Sequence, residues 1–583
     1  MATGARKYNN IRRQWAIVQT DEAVVRRLEA EEAISPLLAR TLASRGLTTT
    51  QQARNFLDPR LADNLGDPFC LKDMDRAADR LAQAIRRGER IAVFGDYDVD
   101  GITATVLLLR LLRWQGADPF YYIPHRVDEG YGLSCEAIDS LAGQGVGLLV
   151  TVDNGISSVA EVDYAQSKDL DCIVTDHHQP GSELPRARAV VNPNQSDCSY
   201  GFVHLSGVGV AFKLAHAVLR RLGVEDRKAK DFLLSMLDIV ALGTVADVVP
   251  LVGENRALVR AGLARLERTE NAGLAALLSL SDRYTKPLLT EAISFFLAPR
   301  LNAAGRTEHA SLAVELLLTT DPARAMDLAH QLDELNDRRR AFERRIFDEG
   351  LALIPQQCNL DSDWVYVVMG RQWHLGVVGI VASKLSEHFG RPVVVLSESE
   401  GLARGSARST PGFDMYSALT QCADMLKTFG GHRQAAGLSL RADGIGQLRE
   451  RLNAIAAESL GGEESVEELA IDAVCDAEDL SVDAVEDLQA LEPCGCGNPR
   501  PVFVLLGADP IREPRVVGSN HLKLTIASAH TDFDVIGFGM GDALSEMRQI
   551  TGPLDVAFCP VVSNWSGSPR VELQLCDFRP SAK

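Results

Sequence analysis

The stretch VFGDYDVDGIT, residues 93–103, sets Asp96, Asp98 and Asp100 on alternate positions of one turn after a short apolar run. Carboxylates crowded that closely repel one another, and in a cleft the simplest remedy is a divalent cation with oxygen ligands. Further along the chain, Asp153 stands in TVDNG, His177 and His178 follow Asp176 in TDHHQP, and Asp247 lies among apolar neighbours in TVADVVP. Asp98, Asp100, Asp153, His177 and Asp247 could together hold two adjacent ions, Mn²⁺ or Mg²⁺, with one imidazole among the oxygens favouring manganese alongside magnesium. Two such ions about 3.5 to 4 Å apart suit phosphoester hydrolysis. Asp153 is the expected bridge between them, because Asn154 and Gly155 after it allow a tight turn; an ordinary Asp-Asn-Gly turn is the plain alternative. Adjacent imidazoles each need a polar partner. His177 is therefore expected on a metal and His178 at the scissile phosphate, as oxyanion donor or general acid, with Asp176 fixing its orientation.

Other blocks could meet phosphate. SGVGVAFKLA, from Ser206, reads either as a glycine-rich phosphate loop entering a helix or as a site of close packing. Arg300 and Arg306 in PRLNAAGR, Ser406 and Arg408 in GSARS, and His432 in GGHRQAAG offer forks and donors suited to a terminal phosphate. Taken singly, each is more often a surface salt-bridge partner. Cys494 and Cys496 in EPCGCGNP have no further ligands close in sequence and read as loop cysteines.

The elements that must position these groups follow from periodicity. Between Arg90 and Asp176, the β-branched runs RIAVFG, PFYYIP, VGLLVTVD and DCIVTD alternate with amphipathic stretches, which predicts βαβ units and a parallel sheet. The acidic residues then fall at strand ends, where open α/β sheets bind ligands. Asp321 and Pro322 predict a helix start, and Leu328, Leu332, Leu335, Phe342 and Ile346 continue it to Gly350. Its arginines 338–340, 344 and 345 form either a solvated face or the wall of an anion groove. A second α/β unit follows, with WVYVVMG and PVVVLS as strands. From about Glu467, an acidic stretch precedes five strand-like runs that suit a small OB-type barrel. The expected division is a helical, basic segment 1–60, an α/β metal domain 61–320, a connecting helix 321–354, a second α/β domain 355–465 and a barrel 466–583.

The whole chain has 583 residues, 46% apolar and 24% charged, room for roughly three to five domains. With 60 Lys and Arg against 79 Asp and Glu, a net charge of −19 excludes nonspecific adhesion to nucleic acid over the whole surface and confines any polyanion to a local site. No apolar run approaches the roughly 18 residues of a membrane span, and MATGARKYNN lacks a signal-peptide core, so no membrane contact and a cytoplasmic location are expected. Eleven scattered cysteines without a CxxC pair argue against both a disulfide framework and a zinc ribbon.

The order GDYDVDG, VDNG, DHH, SGVG, TVADVVPL, PRLNAAGR, WHLGVVGIVASKL, GSARS and GGHRQAAG resembles the DHH phosphoesterase superfamily over residues 60–580, specifically its single-strand-specific 5′ to 3′ DNA exonuclease branch. The resemblance implies Asp96, Asp98 and Asp153 around one ion and Asp100, Asp153, His177 and Asp247 around the other, with His178 as the catalytic histidine. It implies that a DHH-associated domain faces the first across a narrow channel, where Ser406, Arg408, Arg300 and Arg306 hold the 5′ end, with Arg126 as a further contributor. Trp373 and His374 are expected in the same channel, and His432 at its closure. The barrel is expected to grip single-stranded DNA on Phe503, Phe533, Phe538 and Trp565. A single-strand-binding protein and a RecQ-type helicase are the implied partners, in recombination and repair, and a monomer the implied state. The alternatives are a DHH phosphodiesterase for short oligonucleotides or cyclic dinucleotides, a catalytically silent DHH scaffold, and a pyrophosphatase.

Overall fold

In a computed structural model, residues 6–8, 11–126, 128–281, 287–460, 466–563 and 568–582 are described. The first sheet is parallel throughout, in the order Phe120–Tyr122, Ile91–Phe94, Leu148–Val152, Asp171–Thr175, Ala189–Val191. After Ile91–Phe94 the chain adds a strand on one side and then crosses to the other. The switch in direction thus lies between Ile91–Phe94 and Leu148–Val152, whose ends carry Asp96–Asp100 and Asp153. Such a switch point opens a crevice without distorting the sheet. Helix Val99–Trp114 is apolar nearly all round and correspondingly buried. Its two buried threonines satisfy themselves locally, Thr103 Oγ1 donating to Val99 O and Thr105 Oγ1 to Gly101 O, both at 2.7 Å.

Helix Pro322–Gln357 links this unit to the next. Asp321 caps it, accepting from Ala323 N at 3.0 Å, and Pro322 sits in its first turn, where a missing N–H costs nothing. The helix does not stop at Gly350 as its apolar spacing suggests. It runs on through Pro355, because Gly350 is a packing position: a Cβ there would lie 3.0 Å from Leu385 Cδ1. The second sheet runs Leu426–His432, Ala435–Arg441, Leu402–Arg408, Val393–Ser399, Tyr366–Arg371, parallel only in its last pair, with Leu375–Phe389 as the crossover helix.

The C-terminal strands Phe503–Pro510, Leu554–Ser563, Arg570–Pro580, Thr531–Gly537 and His521–Ser528 pair in that order. Asp509 opposite Ala527 and Pro510 opposite Ile526 close them into a barrel. The N-terminal helices pack on it: Val25, Leu28, Leu37, Leu38 and Leu42 share one core with Phe503, Phe533, Phe558 and Phe578. Strand Ile11–Ile17 also pairs in parallel with Val466–Ile471, which ties the N-terminal segment to the stretch that leads into the barrel. This core corrects one expectation. Phe503 and Phe533 are 0% and 2% exposed and fill the barrel, so they offer no ring to a base, whereas Phe538 is 57% exposed. Trp565 lies outside the described residues. No helix among the described residues is long and apolar enough to cross a membrane.

Candidate metal centre and channel

Each acidic group reaches the crevice from a different element. Asp98 caps helix Val99–Trp114, one oxygen accepting from Asp100 N at 3.0 Å and Gly101 N at 3.1 Å. Asp100, one turn in, is fully buried and points at another helix start: it accepts from Gly207 N at 2.6 Å and Val208 N at 2.8 Å. The SGVG block is therefore no phosphate loop. The positive end of helix Gly207–Leu222 is already taken by a carboxylate of the same chain. Close packing accounts for its glycine, since a Cβ on Gly207 would lie 2.5 Å from Asp153 Oδ1. Asp153 itself adopts a left-handed backbone, φ 62°, at the end of the central strand. That conformation is sparsely populated outside glycine and persists where surrounding structure enforces it. Asp247 ends helix Leu237–Ala246 and approaches from the opposite side.

Asp176 is the fixed point of the DHH turn. Its Oδ2 accepts from Ile156 N at 2.9 Å, and its Oδ1 accepts from His177 N at 2.7 Å and His178 N at 3.1 Å. Burial alone would raise this carboxyl, yet the hydrogen bond and charge of His178 with these backbone donors hold it below its usual range. His178 Nδ1 lies 2.7 Å from Asp176 Oδ1. Burial would lower the pKa of His178, but Asp176 outweighs it and the net shift is upward. His177 turns the other way. Its ring bonds the Leu205 backbone, which leaves Nε2 facing Asp153 Oδ1 at 3.1 Å, Asp247 Oδ2 at 3.5 Å and Asp100 Oδ2 at 3.9 Å. Burial, then His178, press its pKa down to about 4, so the ring is neutral at physiological pH, the form in which an imidazole could ligate a cation.

The donor set fits divalent ions. Asp96 Oδ1, Asp153 Oδ1, Asp247 Oδ2 and His177 Nε2 are all buried without a hydrogen-bond partner, a costly state unless a cation completes them. Burial and mutual repulsion push the carboxyls upward, Asp100 to about 7 and Asp247 to about 10, with Asp96 and Asp153 also raised. The ligand atoms gather in three overlapping groups: Asp96, Asp98 and Asp153; Asp100, His177 and Asp247; and Asp153, His177 and His178. Asp153 is thus common to two of them.

The DHH family N-terminal domain matches residues 90–244, the DHHA1 domain residues 361–458 and the RecJ OB domain residues 471–577. The single-stranded-DNA-specific exonuclease RecJ of Bacillus subtilis is 41% identical over 568 residues, covering 97% of this chain and 70% of that protein. The chain belongs to the RecJ family. The Escherichia coli RecJ is 38% identical over 523 residues, 86% of this chain and 89% of that one. Among solved structures, RecJ of Thermus thermophilus in complex with Mn²⁺ superposes with a TM-score of 0.83 at 32% identity, covering 98% of this chain and 80% of that one.

Across the seam from the metal centre, the RecJ-family blocks separate into two kinds. Arg306 is half-buried, donates to Gly376 O at 3.2 Å, and lines with Arg339 and Asn302 a cavity of about 220 Å³ next to Val245, Ala246 and Val248. Burial, then Arg126 and Arg339, lower its pKa to about 9. Arg408 is lowered by burial and by Arg126, whose guanidinium lies 4.6 Å from the Tyr97 ring centre. Arg306 and Arg408 both feel the charge of Arg126, and a bound anion would relieve that repulsion. Ser406 and Arg408 lie beneath helix Leu375–Phe389 at Gly379, while His374 caps that helix and stacks on Phe342 at 5.2 Å. His432 ends the edge strand Leu426–His432 and is exposed.

The second kind is structural. Trp373, expected in the channel, is 3% exposed; its Nε1 donates to Glu349 Oε2 at 2.6 Å and its ring fills the space above Gly370. Arg300 is tied to Asp333 on the linking helix at 2.7 Å, donates from Nη1 to Phe296 O at 3.0 Å and stacks on the Phe296 ring at 3.8 Å, while its Nε has no partner.

Three contributors were not singled out from sequence. Tyr131 stands between Gly130 and Gly132, both at positive φ, and its hydroxyl lies 3.1 Å from Asp153 O and 3.2 Å from His178 Nδ1. Asn192 and Asn194 hold the DHH turn by donating to His178 O at 2.9 Å and His177 O at 2.6 Å. Their signal was available: two asparagines directly after the strand Ala189–Val191, at a carboxyl edge like those of the acidic residues.

Proposed function

We infer that the protein is a metal-dependent exonuclease that degrades single-stranded DNA, in DNA recombination and repair, and that it proceeds from the 5′ end to release 5′ mononucleotides. The observation that carries this is the convergence of four buried, unpartnered ligand atoms from Asp96, Asp153, His177 and Asp247 in a RecJ-family chain. Asp96, Asp98 and Asp153 would hold one ion and Asp100, Asp153, His177 and Asp247 a second. Mn²⁺ or Mg²⁺ bound there supplies a hydroxide nucleophile and charge neutralisation at the phosphoryl oxygens.

The chain's own groups do the rest. Asp176 keeps the His178 ring in one orientation and leaves its Nε2 as the free nitrogen for the scissile phosphate. Arg126, Arg306 and Arg408, with Ser406, would receive the terminal phosphate and set how far the strand enters. The two α/β units touch where a Cβ on Gly376 would lie 2.0 Å from Arg306 O, and this close approach supports exclusion of duplex. A single-strand-binding protein and a RecQ-type helicase are the partners we propose, with a monomer acting in the cytoplasm.

The test is Mn²⁺-dependent hydrolysis of single-stranded DNA labelled at either end, beside a duplex and a dinucleotide. Mononucleotides released from the 5′ end of the single strand alone are expected. Release from the 3′ end would overturn the polarity, and turnover confined to the dinucleotide would overturn the substrate.

A further inference from the structure

Arg256 takes no part in the metal centre, yet it is fully buried at the junction of three chain segments. It stands on helix Gly253–Leu266 of the metal-binding unit. All five of its guanidinium N–H groups donate to main-chain carbonyls from two distant parts of the chain. Nε donates to Phe56 O at 2.8 Å, Nη1 to Leu491 O at 2.9 Å and Pro493 O at 3.2 Å, and Nη2 to Ala490 O at 3.3 Å and Glu492 O at 3.1 Å. The Phe56 ring lies 3.8 Å from the guanidinium carbon. A buried cation is tolerated only when its donors are met, and here carbonyl dipoles meet every one.

The loop that Arg256 grips leads into the first barrel strand, Phe503–Pro510. Asn498 grips it from the other side, Nδ2 donating to the same Leu491 O at 2.9 Å and Pro493 O at 2.8 Å, while Arg45 of the N-terminal helices donates to Asn498 Oδ1. The loop also closes on the metal-binding unit. Leu251 N donates to Cys496 O and Thr290 Oγ1 to Cys494 O, each at 2.7 Å, and Leu251 belongs to the segment that carries Asp247.

We propose that Arg256 is a positioning residue that holds the barrel and the N-terminal helices in fixed register with the metal centre, so that a strand gripped by the barrel is presented to the channel. This rests on the reading of the barrel as a single-strand grip. Two sites acting on one strand reinforce each other only while their spacing is fixed. Loosening the junction therefore costs affinity for strands that span both sites and nothing for strands confined to the channel. It also gives the first 60 residues a task, since Phe56 and Arg45 complete the clamp.

The experiment compares wild type, Arg256→Met and Arg256→Lys on oligodeoxynucleotides of about 3 and about 30 nucleotides, the shorter one falling below the span of a single OB fold. For Arg256→Met we expect KM for the long strand to rise about tenfold, with kcat and the short-strand KM unchanged. Arg256→Lys, which keeps the charge but loses the planar fork, recovers part of the loss. Equal losses on both lengths, or no loss on either, overturn the proposal. Asn498→Ala loosens the same loop without touching the metal-binding unit, and it must reproduce the length dependence; its absence there also overturns the proposal. Fluorescence anisotropy with the same two strands separates this idea from the catalytic reading. Length-dependent binding lost in Arg256→Met supports the clamp even if no hydrolysis occurs, which would sink only the exonuclease reading. Wild type that binds both lengths equally overturns the clamp.

Discussion

His177 Nε2 faces Asp153 Oδ1 across 3.1 Å, and neither atom has a hydrogen-bond partner. Because the other ring nitrogen of His177 is committed to the Leu205 backbone, two electron-pair donors point at each other inside the protein. Only a proton or a metal ion stabilises that arrangement.

Metal binding should therefore expel protons. Asp247, raised to about 10, holds a proton at neutral pH when no ion is present, Asp100, raised to about 7, is half protonated there, and burial and its neighbours raise Asp153 in the same direction. An ion selects the deprotonated carboxylates, so affinity for Mn²⁺ rises with pH up to about 10, more steeply below about 7, where Asp100 also gives up a proton. Titration calorimetry in buffers of different ionisation enthalpy measures the protons released. A pH-independent affinity with no proton release would refute the coupling.

Gly207→Ala should disable the metal centre rather than a phosphate loop. The added Cβ would lie 2.5 Å from Asp153 Oδ1, displacing a carboxylate already held at φ 62°. Overpacking of this kind costs about 1–3 kcal/mol, which taken from Mn²⁺ binding is a roughly fivefold to hundredfold loss of affinity. Calorimetric Mn²⁺ affinity beside DNA affinity in the absence of metal distinguishes the two readings: a loss of DNA affinity with Mn²⁺ affinity intact would restore the phosphate loop.

Trp373→Phe should lower stability and leave the chemistry alone. It removes the hydrogen bond to Glu349, worth about 1–2 kcal/mol because the acceptor is charged and partly exposed. Denaturant unfolding should show that loss, with kcat/KM per folded molecule unchanged. A fall in kcat/KM at full stability would return Trp373 to the channel.

The two arginines of different standing should part in their substrate dependence. Arg408→Ala is expected to weaken cleavage of 5′-phosphorylated strands more than of 5′-hydroxyl strands, since Arg408 shares its surroundings with Arg126. Arg300→Met, which breaks the pair with Asp333, is expected to destabilise the linking-helix contact and to treat both strand ends alike. Steady-state rates on the paired substrates decide it, and equal effects of Arg408→Ala on both would remove its terminal-phosphate role.

Much of this architecture is legible in local pattern. The alternation from Arg90 to Asp176 foretells a parallel sheet, and the five C-terminal runs become the strands of a barrel. The spacing of Asp96, Asp98 and Asp100 marks a carboxylate cluster before any partner is known, because three like charges on one turn need an explanation wherever they lie. The DHH triplet points to a site for the same reason, two polar rings at a strand end.

What the pattern leaves undecided is which partner each group meets. Trp373 and Arg300 stand in blocks that look like channel residues, and only the tertiary structure shows that they also bond Glu349 and Asp333 of the linking helix. SGVG reads as an anion site, and the anion turns out to be Asp100. Arg256 carries no local signal, since its partners Phe56 and the carbonyls of 490–493 are distant in sequence. By itself, the sequence determined the elements and the reactive groups at their ends, because hydrophobic period and crowded charge are properties of neighbouring residues. The tertiary structure alone decided which charges are spent within the protein and which stay free for a ligand, because a buried charge takes whichever partner packing brings nearest.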